Sequence, residues 1–189
     1  MWDRLSFGYH LASRLAYVIG VGVALKKQQR HQFFTRRDGN ERGFRRFRRI
    51  AATLMNNDGV SFVILCVLTQ ETMRPAAAPN LLLVGGAFLV AVGVSTKLWA
   101  AQALGSASYY WHNFFARGGP TAPHPAGPYR FLRNPMYTVG YLQAYGLALI
   151  LSSAPGLIAA AFDQAAILAF YYLVEKPHFD LITKGTSGR

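Results

Sequence analysis

The 189 residues are 52% hydrophobic and 15% charged and carry a formal charge of +12, enough chain for one domain. Cys66 is the only cysteine, which excludes an intrachain disulfide and a cysteine metal cluster. Ten of the twenty lysines and arginines crowd into Lys26–Arg49, and uncharged runs follow at Pro75–Thr96, Leu98–Ala116 (with one histidine) and Asn134–Phe162. Such runs reach the roughly 20 apolar residues that a membrane helix needs, so the chain reads as an integral membrane protein.

The first apolar run, Leu11–Leu25, contains Arg14 and is followed by no clean small-residue cleavage site, so it does not read as a signal peptide. It is expected to span the membrane or to lie half-buried as an amphipathic helix. Lys26–Arg49, KKQQRHQFFTRRDGNERGFRRFRR, is a basic run with interleaved phenylalanines. Such a run binds nucleic acid or anionic lipid heads. Beside membrane helices it is expected to be a cytoplasmic loop held at anionic lipid, and it marks the inside.

Asn56–Gly59 is a turn and helix-start signal, followed by an apolar segment, Val60–Met73, whose start lies upstream near Ile50 if it is to span. Pro75–Asn80 is a tight connection. Leu81–Leu104 is the clearest spanning helix: Gly85, Gly86 and Gly93 allow close helix approach, and Lys97 and Trp99 suit its headgroup-level end. With the basic run inside, this helix returns to the inside. Gly105–His124 then offers small residues, the aromatics Tyr109, Tyr110 and Trp111, and His112, Asn113 and Arg117. An aromatic belt accounts for the three rings. Small residues beside aromatics also make a shelf for a flat ring.

Gly127–Tyr137, GPYRFLRNPMY, opens the last apolar stretch. Asn134 suits a helix N-cap and Pro135 the first helical position, so a helix is expected from Pro135 towards Ser152. Arg130 and Arg133 then lie beside its positive end, where they bind an anion or anchor the helix at a membrane surface. Pro135–Val174 reads as a helical hairpin with its turn at Ser152–Gly156 and arms of about 25–30 Å. The arms are nearly equal, so their open ends meet. Three stretches, near residues 105–113, 127–137 and 175–178, are expected to converge at one cytoplasmic face. Pro177 is expected to break the second arm, and Asp163 within it to face other helices.

LRNPMY at Leu132–Tyr137, YLQAYGLALI at Tyr141–Ile150 and LVEKPHF at Leu173–Phe179 carry a resemblance. From about Leu81 to Thr183 the chain resembles the membrane-embedded phospholipid methyltransferases, within a larger group that includes the isoprenylcysteine carboxyl methyltransferases. The Asn-Pro-Met-Tyr form is more similar to the phosphatidylethanolamine N-methyltransferases than the Arg-His-Pro of the prenylcysteine enzymes. This chain departs from the pattern at Lys176, where many relatives have a second glutamate, and at Gly105–Ser108, where a glycine-x-glycine element is usual. Residues 1 to about 55 lie outside the resemblance, which gives an N-terminal segment with a basic cytoplasmic loop (1–55) and a membrane methyltransferase domain (56–189).

The resemblance implies an all-α membrane bundle of four to five helices whose C-terminal hairpin carries the cofactor site at its cytoplasmic end. It implies S-adenosylmethionine as methyl donor and N-methylation of a phosphatidylethanolamine-type headgroup. Cofactor binding falls to Gly105, Tyr129, Arg130, Arg133, Asn134, Pro135, Tyr137 and Glu175. The headgroup amine needs a base, for which His178, Glu175, His112 and His124 are candidates, and Arg117 or Lys176 suits the lipid phosphate. No residue suggests a metal. Another lipophilic acceptor, such as an isoprenylcysteine carboxylate or a small isoprenoid, and a sterol-reductase-like enzyme using nicotinamide remain alternatives. So does a non-catalytic protein acting through its basic arm. The Ala- and Arg-rich composition points to a bacterial inner membrane.

Overall fold

A computed structural model describes residues 2–73, 79–115 and 126–186. They form six helices, α1 (Trp2–His31), α2 (Thr35–Leu68), α3 (Pro79–Tyr109), α4 (Leu142–Ile150), α5 (Ala154–Phe170) and α6 (Lys176–Thr186), with no strand among the described residues. Among the described residues four helical stretches are long and apolar enough to cross a membrane: Asp3–His31, Thr35–Leu68, Asn80–Phe114 and Ala154–Leu181. Leu81, Val84, Phe88 and Ile158 point outward and exposed, as lipid-facing side chains do.

α1 runs as one 30-residue helix in spite of Arg14, because that side chain is buried against acids of two other helices. Lys26–Arg49 is not a loop. Its first part finishes α1, and from Thr35 it starts α2, whose helix breaks once at Gly39 (φ 73°, ψ 170°). Gln28 closes the short connection: its Nε2 donates to Thr35 Oγ1 and its Oε1 accepts from the Phe34 N–H, both at 2.9 Å. The run is helical because its phenylalanines have a core to enter. Phe34, Phe44 and Phe47 are buried with Leu25, Trp111, Phe114 and Phe115. Residue 55 lies inside α2, and α1 packs on both α2 and α5.

α3 and α4 make the closest helix pair. A Cβ on Gly86 would meet the Gly146 carbonyl oxygen at 2.7 Å, and one on Gly93 would run into the Gln143 backbone. Gly85 has open space around it and takes no part. At the far end the two outer turns are stitched together. The Glu71 and Met73 N–H groups donate to the Leu151 and Ser152 carbonyls, and the Thr69 and Ser153 hydroxyls pair at 2.7 Å.

The C-terminal hairpin differs from the sequence expectation in two ways. Regular α-helix begins at Leu142, not Pro135. Residues 135–138 are turns and Val139–Tyr141 is 3₁₀, held by the Asn134 and Pro135 carbonyls rather than by an Asn134 side-chain cap. The arms are therefore unequal in regular helix. Pro177 does not break the second arm: a π-helical turn, Tyr171–Glu175, precedes it and the helix continues as α6. The widened turn accommodates a proline ring that would otherwise press on the carbonyl four residues back.

Candidate active site

The open ends of the hairpin do meet. Glu175, 6% exposed, accepts hydrogen bonds at one oxygen, Oε1, from the Trp111 indole N–H at 2.5 Å and the Tyr137 hydroxyl at 2.6 Å. One residue from each of the three separated stretches thus closes on a single carboxylate. The π turn ends at Glu175 and carries it inward. Trp111 reaches it from a left-handed backbone conformation (φ 56°), which follows the break of α3 at Gly105 (φ 75°, ψ 158°). A bulky residue held at positive φ beside a buried carboxylate marks a locally constrained site. Burial, and then the Glu175 charge, holds the Tyr137 phenol well above the ordinary tyrosine range. Burial and Glu175 push the Tyr129 phenol up in the same way. Both therefore stay protonated, and Tyr137 serves Glu175 as a donor.

This carboxylate lies on the wall of a cavity of about 840 Å³. Of the residues expected at the site, Tyr129, Arg133, Asn134, Tyr137, Glu175 and His112 line it. Gly105, Arg130, Pro135, Lys176 and His178 do not. Gly105 acts as the bend between Leu104 and Ser108, which do line it. Arg130 is exposed, and Pro135 is buried in packing. Lys176 is exposed and pairs with Asp180 at 2.7 Å. His178 stacks on Phe114, ring centroids 3.6 Å apart, with Nε2 buried and without a hydrogen-bond partner among the described residues. Arg117 and His124 lie outside the described residues.

Deeper in the cavity is a second polar centre, of which the sequence signalled only the inward-facing Asp163. Arg14 Nη2 lies 2.8 Å from Asp58 Oδ2 and donates to Asp163 Oδ2 at 2.8 Å, while its Nε is 2.8 Å from Asp163 Oδ1. His10 Nε2 is 3.2 Å from Asp163 Oδ2, and its Nδ1 pairs with Ser61 Oγ at 2.9 Å. His10, Asp58 and Asp163 lie close enough to suggest a metal set, all ligand atoms being within 4.8 Å. The Arg14 guanidinium already supplies the positive charge there, so the grouping is an ion-pair network. Lys97 also lines the cavity instead of snorkelling, with Nζ 5.2 Å from the centre of the Tyr141 ring. No motif could flag Arg14, Asp58 or Lys97, because only the helix packing turns them to one space.

The residues present fit a methyl donor of the S-adenosylmethionine kind. The cavity is large enough for it, Glu175 offers a carboxylate to an amine or a ribose, Arg133 offers a cation to a carboxylate, and Tyr129 and Trp111 offer aromatic faces.

Comparison with known proteins agrees with this hairpin. Residues 81–182, more than half of the chain, match the family model described as phospholipid methyltransferase. The chain is 30% identical over 176 residues to a phosphatidylethanolamine N-methyltransferase of Podospora anserina, 30% over 144 residues to one of Clavispora lusitaniae, and 28% over 174 residues to one of Coccidioides posadasii. These alignments cover 89%, 72% and 87% of this chain and 18%, 17% and 18% of the relatives, so the chain spans less than a fifth of their length. The Podospora alignment reaches into the first 55 residues, which the sequence reading had left outside the resemblance. No solved structure matches the chain. With the family match covering α3 and the hairpin that carries Glu175, the chain belongs to the phospholipid methyltransferase family.

Proposed function

We propose that this protein is an S-adenosylmethionine-dependent membrane methyltransferase that N-methylates a phosphatidylethanolamine-type headgroup. The observation that carries the reading is the buried carboxylate of Glu175, gripped by Trp111 and Tyr137 on the wall of a cavity large enough for a cofactor and a headgroup. The relatives' names favour a lipid amine over a prenylcysteine carboxylate or a sterol.

In this proposal Glu175 takes the donor's amine or ribose hydroxyls, Arg133 at the rim takes its carboxylate, and Tyr129 packs against it. The bound donor supplies an electrophilic methyl group for in-line displacement. The chain's own residues position and desolvate, which is where most of the rate arises in such a transfer. Trp111 and Tyr137 fix the Glu175 carboxylate so that it needs no reorganisation when the donor arrives. The acceptor ammonium must lose its proton before it can attack. His112 and Glu175 are the candidate bases that face the cavity.

The cytoplasmic placement of the site belongs to the same proposal. The basic α1–α2 hairpin packs at the Trp111 end: Phe44 meets His112 with centroids 4.6 Å apart, and the Arg48 guanidinium lies 5.0 Å over Tyr110. A cluster of lysines and arginines at that end points it inward and towards anionic lipid. The relatives above are fungal, so they lend nothing to the bacterial inner membrane suggested by composition.

The test is transfer of labelled methyl from S-adenosylmethionine to phosphatidylethanolamine in reconstituted vesicles, with nicotinamide cofactor titrated in parallel. Labelled lipid made by the intact chain, and abolished in Glu175→Ala, is the expected result. Binding of nicotinamide but not of the methyl donor would overturn the reading.

A further inference from the structure

Lys97 poses a question that the family hairpin does not answer. It sits on α3, in the most apolar of the spanning stretches. There a lysine head normally reaches for the headgroup layer. Here the stem instead runs along bare backbone: a Cβ on Gly140 would meet Lys97 Cγ at 2.8 Å, so only glycine leaves this path open. The ammonium ends in the cavity over the Tyr141 ring, 5.2 Å from its centre, and has no ion-pair partner among the described residues.

The wall beside it is also charged. Arg14 is the one guanidinium set against the two carboxylates of Asp58 and Asp163, and Asp58 Oδ1 is buried without a hydrogen-bond partner. An unpaired cation next to an acid-rich cluster makes the inner cavity a fixed dipole. A group that carries both an anion and a cation, a few ångströms apart, complements it. A free phosphate would satisfy Lys97 but face the aspartates with like charge.

We propose that Lys97 binds the phosphodiester of a zwitterionic lipid headgroup inside this cavity, with the headgroup ammonium turned towards the Asp58–Asp163 wall. The proposal rests on the phospholipid reading above, and it replaces Lys176, which is occupied with Asp180 on the surface, as the phosphate-binding lysine.

The experiment is calorimetric binding of short-chain phosphatidylethanolamine to the full chain in detergent, in the presence and absence of S-adenosylmethionine. Inorganic phosphate and a phosphate-free aminolipid of the same chain length serve as comparison ligands. Expected is saturable binding of the phospholipid, weakened at least tenfold in Lys97→Met and largely kept in Lys97→Arg, with methyl-donor affinity unchanged in both. The aminolipid should bind wild type and Lys97→Met alike. Equal phospholipid affinity in wild type and Lys97→Met, or no phospholipid binding by the wild type, overturns the proposal. So does inorganic phosphate binding as tightly as the phospholipid. If binding depends on Lys97 but no methyl is transferred, the lipid site stands and the methyltransferase reading falls.

Discussion

The cavity joins two buried acidic centres that are held in opposite ways. Glu175 is held by neutral donors, an indole and a phenol, both on one oxygen. Asp58 and Asp163 are held by a charge, Arg14, with His10 behind. Glu175 lies twelve residues beyond Asp163 on one helical path, about 18 Å at a rise of about 1.5 Å per residue. Neutral donors orient a carboxylate without cancelling its charge, so Glu175 remains able to attract a cationic ligand. A guanidinium cancels charge, so the inner cluster chiefly fastens α1 and α2 to α5 and leaves a small surplus. The difference separates a centre whose charge is open to a ligand from one whose charge is mostly taken up by the fold.

Breaking the inner centre should therefore cost most. Arg14→Met leaves two buried carboxylates facing each other, and removal of one partner of a buried pair costs about 3–5 kcal/mol. Thermal unfolding in detergent should drop by many degrees, and neutralising Asp58 and Asp163 to Asn in the same chain should recover most of the loss. Next comes the close α3–α4 contact. A Cβ on Gly146 would sit 2.5 Å from the Gly86 carbonyl oxygen and 2.7 Å from the Val90 nitrogen, so Gly146→Ala should destabilise by about 1–3 kcal/mol in the same assay.

At the outer centre the effects should appear in binding as well as in stability. Tyr137→Phe removes one of two donors to a charged group, worth about 1.5–3 kcal/mol. Methyl-donor affinity should fall tenfold or more, and the melting temperature should fall by less than in Arg14→Met. Lys176→Ala is the null case: the side chain is exposed and off the cavity, so neither binding nor melting should move.

What was legible from sequence follows the same division. Two members of the outer centre are readable because they lie in local motifs, Glu175 before Pro177 and Tyr137 at the end of LRNPMY, whereas Trp111 reads as part of an aromatic belt. Their meeting followed from hairpin topology alone. The helix start at Pro135 was misplaced because a capping pattern signals a turn and does not require regular α-helix immediately after it. Pro177 was misread because a single proline gives no sign of the π turn that accommodates it. Arg14, Asp58 and Lys97 stayed hidden for another reason. Arg14 reads as an interruption of an apolar run, Asp58 as part of a turn signal and Lys97 as a snorkelling end residue, and only packing of α1, α2, α3 and α5 supplies partners or a cavity. His178 lies three residues from Glu175, yet the ring turns onto Phe114 and away from the cavity.

The account turns on Glu175 as the residue that holds the methyl donor. Glu175→Gln keeps an acceptor for Trp111 and Tyr137 but removes the charge, so the fold should persist. S-adenosylmethionine binding should be measured calorimetrically on both forms, each checked for an unchanged helical signal and melting temperature. The account predicts saturable binding by the wild type and a loss of at least tenfold in Glu175→Gln. Equal affinity in the two forms, or no binding by the wild type, would contradict it.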